Sequence, residues 1–195
     1  MDKTLKVALI SLIFNVLFGV YHLVFGVVSS SWWLLTLGTY YLILSIVRFA
    51  VLISKSREGF ITKFTGGMLI TLSIPLAGTV ILSLVRDRGH QLPMVVMIAM
   101  AAYSFTKITL ATIQLVKSRH NASAAHITLR NISFADAFVS IFALQRSMLV
   151  SFEGMTETEI LIMNALLGVA VCVIVFLLGL NLLRNKKIWF NALND

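Results

Sequence analysis

Six apolar stretches, each long enough to cross ~30 Å of hydrocarbon as a helix, follow one another with only short polar connections. They cover residues 5–28, 33–54, 65–85, 93–116, 132–150 and 159–183 of a 195-residue chain. No other feature restricts the fold so severely. "SSSW", "VRDRGHQL" and "FEGMTETE" are connections of this kind, and none can form a soluble domain. The chain is 58% hydrophobic and 12% charged, with a mean hydropathy of +0.93. Soluble domains carry about 25% charged residues, so a soluble core cannot hide this much apolar surface. The expectation is an all-α integral membrane protein. It would be a single polytopic domain over residues 1–195, with six transmembrane helices arranged as three helical hairpins.

A net charge of +8 raises the question of nucleic acid. The basic residues sit between the apolar runs, so they read as topology signals and no nucleic-acid partner is expected. Eleven of the Lys and Arg residues fall on one side: Lys3, Lys6, Lys55, Arg57, Lys63, Lys117, Arg119, Arg130, Arg184, Lys186 and Lys187. Only Arg86 and Arg88 fall on the other. That asymmetry puts both termini in the cytoplasm and the chain in the cell membrane. Trp32 and Trp33 would anchor the outer interface, and Trp189 and Phe190 the inner one.

Local signals mark several helix ends. Thr156 to Glu159 reads as a capping box opening the sixth helix, with Met155 and Ile160 placed as a staple. Pro93 suits a first turn, and Pro75 should kink the third helix. Ser133 to Asp136 also matches a capping box, which would put Asp136 in the first turn of the fifth helix. "YLILSIVRFAVLISKSR" (41–57) and "YSFTKITLATIQLVKSR" (103–119) align without gaps, a hint of a tandem repeat of about 60 residues.

Residues three, four and seven apart share a helix face, and each stretch has one small or polar face. The first carries Ser11, Asn15, Gly19, His22 and Gly26, and the second Gly38, Tyr41, Ser45 and Arg48. Gly67, Thr71 and Gly78 mark the third; Ala99, Tyr103, Thr106, Lys107 and Gln114 the fourth. The fifth has Ser133, Asp136, Ser140, Ala143 and Ser147, and the sixth Asn164, Gly168, Cys172 and Gly179. Such faces either pack helices or line a solute path. Asn15, His22, Tyr41, Arg48, Tyr103, Lys107, Asp136 and Asn164 are the candidates for a polar core or path.

Lys107 is the most costly of these. It lies roughly ten residues from the inner end of its helix, or ~15 Å deep. A bare charge at that depth costs about 2.5–3.5 kcal/mol unless paired or wet. Asp136 is the one acid within the spans beyond the Glu159 cap, and its helix follows directly, so a Lys107–Asp136 pair is expected. Arg48 can snorkel or share Asp136. Arg146, about one turn from the outer end, can snorkel or meet Glu153 or Glu157. His22 reads as a packing histidine.

Motifs of hydrolases, zinc enzymes, nucleotide-binding loops and redox dithiols do not occur in the sequence. No catalytic or metal site, no cofactor and no enzymatic activity are expected. The expected function is a small transporter or channel-like protein for a small solute or ion. The alternative is a scaffold or accessory subunit of a larger membrane complex. Beyond the lipid bilayer, a homo-oligomer or a membrane partner subunit is the kind of partner foreseen.

Overall fold

The computed structural model describes residues 3–53, 58–85, 94–118, 124–151 and 155–184. These form six helices: α1 (Lys3–Val28), α2 (Trp32–Ile53), α3 (Glu58–Val85), α4 (Met94–Ser118), α5 (Ala124–Ser151) and α6 (Glu157–Arg184). Among the described residues there is no strand. Five helices, all but α4, are long and apolar enough to cross a membrane. Pro93, Glu153, Trp189 and Phe190 lie outside the described residues.

Two helices start well before the apolar pattern does. α3 begins at Glu58 rather than 65, and α5 at Ala124 rather than 132. In α5 the polar run "HITLRN" continues the helix because neighbouring helices shelter it. Thr128 donates to the Ala124 carbonyl at 2.8 Å and lies 3.0 Å from the Thr62 hydroxyl of α3. Asp136 is therefore a mid-helix residue, and its reading as part of a capping box is overturned. The capping box at α6 does form. The Thr156 amide and hydroxyl both donate to Glu159 Oε2 at 2.8 Å, and the Glu159 amide returns to the Thr156 hydroxyl at 3.3 Å.

α5 sits at the centre, against α2, α3, α4 and α6. It is the most polar of the five apolar helices, with mean hydropathy 1.4, and the most enclosed. α6, at 2.9, is the most apolar and the least enclosed. A helix wrapped by protein can keep its polar groups, because partners satisfy them. A peripheral helix can do so only on its inner face, as α1 does with Ser11, Asn15 and His22.

The most extensive interfaces are α3 with α6, α1 with α2, and α4 with α5. The α3–α4 pair expected as the middle hairpin forms no comparable interface among the described residues. Glycine explains the α3–α6 match. A Cβ on Gly66 would lie 2.9 Å from the Gly179 carbonyl oxygen, and one on Gly179 would lie 2.9 Å from that of Gly66. The backbones approach as closely in α1–α2, where a Cβ on Gly38 would lie 2.9 Å from the Gly19 carbonyl. α1 ends on Ser30 in the left-handed region (φ 52°), with the Ser31 amide bonded to the Gly26 carbonyl at 2.9 Å. That reversal lays α2 back along α1.

The expected small face of α3 is wrong by a rotation about the helix axis. A Cβ on Gly67 or Gly78 would meet nothing within 4 Å, and Thr71 is exposed. The buried face carries Thr62, Thr65, Leu69, Leu72, Leu76 and Val80 instead. Pro75 lies inside the helix, on its exposed side.

Polarity is inverted relative to a water-soluble bundle. Leu17, Val24, Ile46, Phe60, Ile74, Ile98, Phe105 and Leu166 are exposed, while Asn15, His22, Arg48, Lys107 and Asp136 are buried. Exposed threonines hide their hydroxyls on their own helix: Thr39 donates to the Leu35 carbonyl and Thr106 to that of Ala102. Apolar exposure on this scale far exceeds the patches tolerated on a soluble monomer. It is compatible with a membrane protein.

Candidate functional site

One carboxylate oxygen organises the middle of the bundle. Asp136 Oδ2 accepts from Lys107 Nζ at 2.6 Å and from Arg48 Nη2 at 3.3 Å. Asp136 comes from α5, Lys107 from α4 and Arg48 from α2. The fourth wall is Ser11 of α1. Its hydroxyl accepts from Lys107 Nζ at 3.1 Å and from Arg48 Nη1, and its carbonyl accepts from Lys107 at 3.2 Å. Arg48 Nη2 also donates to Ser133 at 3.2 Å. The charged side chains are at most 2% exposed. The expected Lys107–Asp136 pair thus forms, and Arg48 shares it instead of snorkelling.

These residues meet because helical spacing aligns them. Ser11 and Asn15 are one turn apart on α1, and Ser133, Asp136 and Ser140 follow one stripe of α5. Ser140 donates to the Asp136 carbonyl at 2.8 Å and lies 3.1 Å from the Tyr41 hydroxyl. Ser104 of α4 donates to the Ser140 carbonyl at 2.9 Å, which sets the α4–α5 register beside the charges.

An aromatic layer adjoins the charges. The Tyr103 hydroxyl donates to Asn15 Oδ1 at 3.0 Å. Its ring stacks on Phe18 at a centroid distance of 3.7 Å and meets Tyr41 edge-on at 5.8 Å. Lys107 Nζ lies 5.1 Å from the centre of the same ring. His22 Nδ1 bonds the Phe18 carbonyl at 2.8 Å, and its ring lies 5.8 Å from that of Tyr41. Tyr41 and Tyr103, the residues that open the two similar sequence segments, therefore face each other here.

Of the eight candidates, Asn15, His22, Tyr41, Arg48, Tyr103, Lys107 and Asp136 belong to this centre. Asn164 does not. It is buried on the α6 face that also carries Gly168 and Gly179. Arg146 is 2% exposed, with its guanidinium 4.8 Å over the Trp33 ring. Trp33 is accordingly buried, while Trp32 is 73% exposed. Gln145 faces α6, donating to the Met163 carbonyl at 3.2 Å. Ser11 and Ser140 stand on the polar faces expected from the sequence, whereas Ser104 and Phe18 stand on none of them. Ser104 lies three residues before Lys107 on the same helix, a usable signal, but nothing in the sequence singles out Phe18 among its apolar neighbours.

Several buried polar atoms here make no hydrogen bond: Arg48 Nε, Asn15 Nδ2, His22 Nε2 and Asp136 Oδ1. Among the described residues no three His, Cys, Asp or Glu side chains gather as metal ligands. Two cations around one carboxylate would repel a metal ion.

Fold and site together define an all-helical bundle, apolar outside, with a charged centre where α1, α2, α4 and α5 converge. Compared with protein-family models, curated proteins and solved structures, the chain matches none.

Proposed function

We propose that this is a multi-pass membrane protein that moves a small solute or ion, with the Arg48–Lys107–Asp136 centre as its translocation site. All six helices cross the bilayer in this reading, and both termini are cytoplasmic. One observation carries it: two cationic side chains, from α2 and α4, converge on one carboxylate oxygen of α5, with at most 2% exposure of all three. Burying charges carries a desolvation cost that a well-packed apolar cluster of similar volume avoids. In membrane helices such groups typically mark solute, ion or proton pathways. The enclosed centre corresponds to an occluded state, closed to both sides.

The same closeness favours a second reading, a scaffold or accessory subunit whose charges only hold α1, α2, α4 and α5 together. Flux separates the two. The purified protein is reconstituted into vesicles and assayed with a lumenal pH dye for protons and by light scattering for isosmotic potassium salts. The transport reading expects flux of at least one probe above that of protein-free vesicles. Flux equal to protein-free vesicles for every probe would leave the scaffold.

A further inference from the structure

The charged centre does not balance. Arg48 and Lys107 bring two positive charges, and among the described residues Asp136 is the one carboxylate that reaches them. Every other partner is neutral: Ser11, Ser133 and the Ser11 carbonyl. Lys107 spends all three of its donors on Asp136 and Ser11. Arg48 Nε and Asn15 Nδ2, both donors, have no acceptor, against one unpaired acceptor, Asp136 Oδ1. Arg48 and Asn15 are each 0% exposed. Excess positive charge and spare donors therefore occur together, in surroundings that screen neither.

We propose that the centre binds a small monovalent anion, a halide or a short carboxylate, as the counter-charge that Asp136 alone does not supply. This rests on the translocation reading and gives its substrate class. The anion competes with Asp136 for Lys107 and Arg48 and takes up the free Arg48 and Asn15 donors. Asp136 keeps the site closed when the anion is away, because its carboxylate is the built-in substitute. Substitutions then have an order set by charge. Lys107→Met leaves a neutral Arg48–Asp136 pair with no call for an anion. Asp136→Asn leaves two cations and no internal competitor.

The test is thermal unfolding of the detergent-solubilised protein at constant ionic strength, with chloride or formate replacing bulky gluconate. A bound ligand raises the melting temperature with the logarithm of its concentration. The expected result is stabilisation of the wild type by chloride or formate over gluconate. Lys107→Met should weaken the apparent affinity by about tenfold or more, as loss of a buried charge partner does. Asp136→Asn should depend on the anion more strongly than the wild type. Should Asp136→Asn fail to fold, the Lys107→Met comparison decides alone. No anion effect on the wild type overturns the proposal, as does an equal effect on Lys107→Met, which would place the anion elsewhere. Flux without anion stabilisation sinks this inference and spares the translocation reading. Stabilisation that Lys107→Met removes, with no flux of any probe, does the reverse.

Discussion

Asp136 anchors both Lys107 and Arg48 through one oxygen, so the two cations depend on it far more than it depends on either. Replacing it with Asn strands two buried charges. Without a substitute counter-charge, Asp136→Asn should destabilise the protein by about 3–5 kcal/mol, the usual cost of breaking a buried pair from one side. Chemical denaturation in micelles would read this, and a loss within the range of a surface substitution would contradict the geometry. At this scale the sequence was partly legible. The depth of Lys107 demanded a partner, and Asp136 was the acid at hand. The position of Asp136 within its helix was misjudged, because a serine three residues before an acid imitates a cap. The contact of Arg146 with Trp33 could not be read, because the two lie more than a hundred residues apart in sequence.

Between helices, the decisive groups are those that are missing. Gly38 against Gly19 and Gly66 against Gly179 let backbone meet backbone, and a methyl group at Gly38 or Gly179 would lie 2.9 Å from a carbonyl oxygen. Gly38→Ala or Gly179→Ala should each cost about 1–3 kcal/mol through forced separation of the pair. Gly67→Ala and Gly78→Ala meet open space, and should be neutral or stabilising by about 0.5–1 kcal/mol. Melting temperatures of the four variants would check this; a loss at Gly67 matching that at Gly38 would refute the helix rotations. Small-residue stripes in α1, α2 and α6 could be read beforehand because each helix has a single such face. In α3, glycines and threonines occur on both faces, so the pattern could not choose. The early starts of α3 and α5 were hidden for a different reason. Apolar runs report contact with lipid-like surroundings, whereas α5 is enclosed by protein and needs no such run.

For the whole molecule, helix number followed from the length and spacing of the apolar stretches alone. Which helices pair did not, since close approach of α3 and α6 depends on glycine positions rather than chain order. Orientation is open to direct measurement. In a Cys172→Ser background, Lys6→Cys and Thr156→Cys should label from opposite sides of intact cells, with Thr156→Cys accessible from outside. Labelling of both from one side would overturn the topology and the count of crossings with it. The charged centre then lies within the bilayer, at the meeting of four helices, and the account stands or falls on whether it takes part in solute movement. The most direct measurement is flux through reconstituted vesicles for wild type, Lys107→Met and Asn164→Leu, each shown to be folded by circular dichroism and gel filtration. Lys107→Met keeps a paired Arg48–Asp136 core, so it should fold yet lose the flux, while Asn164→Leu, outside the centre, should keep it. Wild-type flux from Lys107→Met would contradict the account, leaving the centre as a device for packing alone.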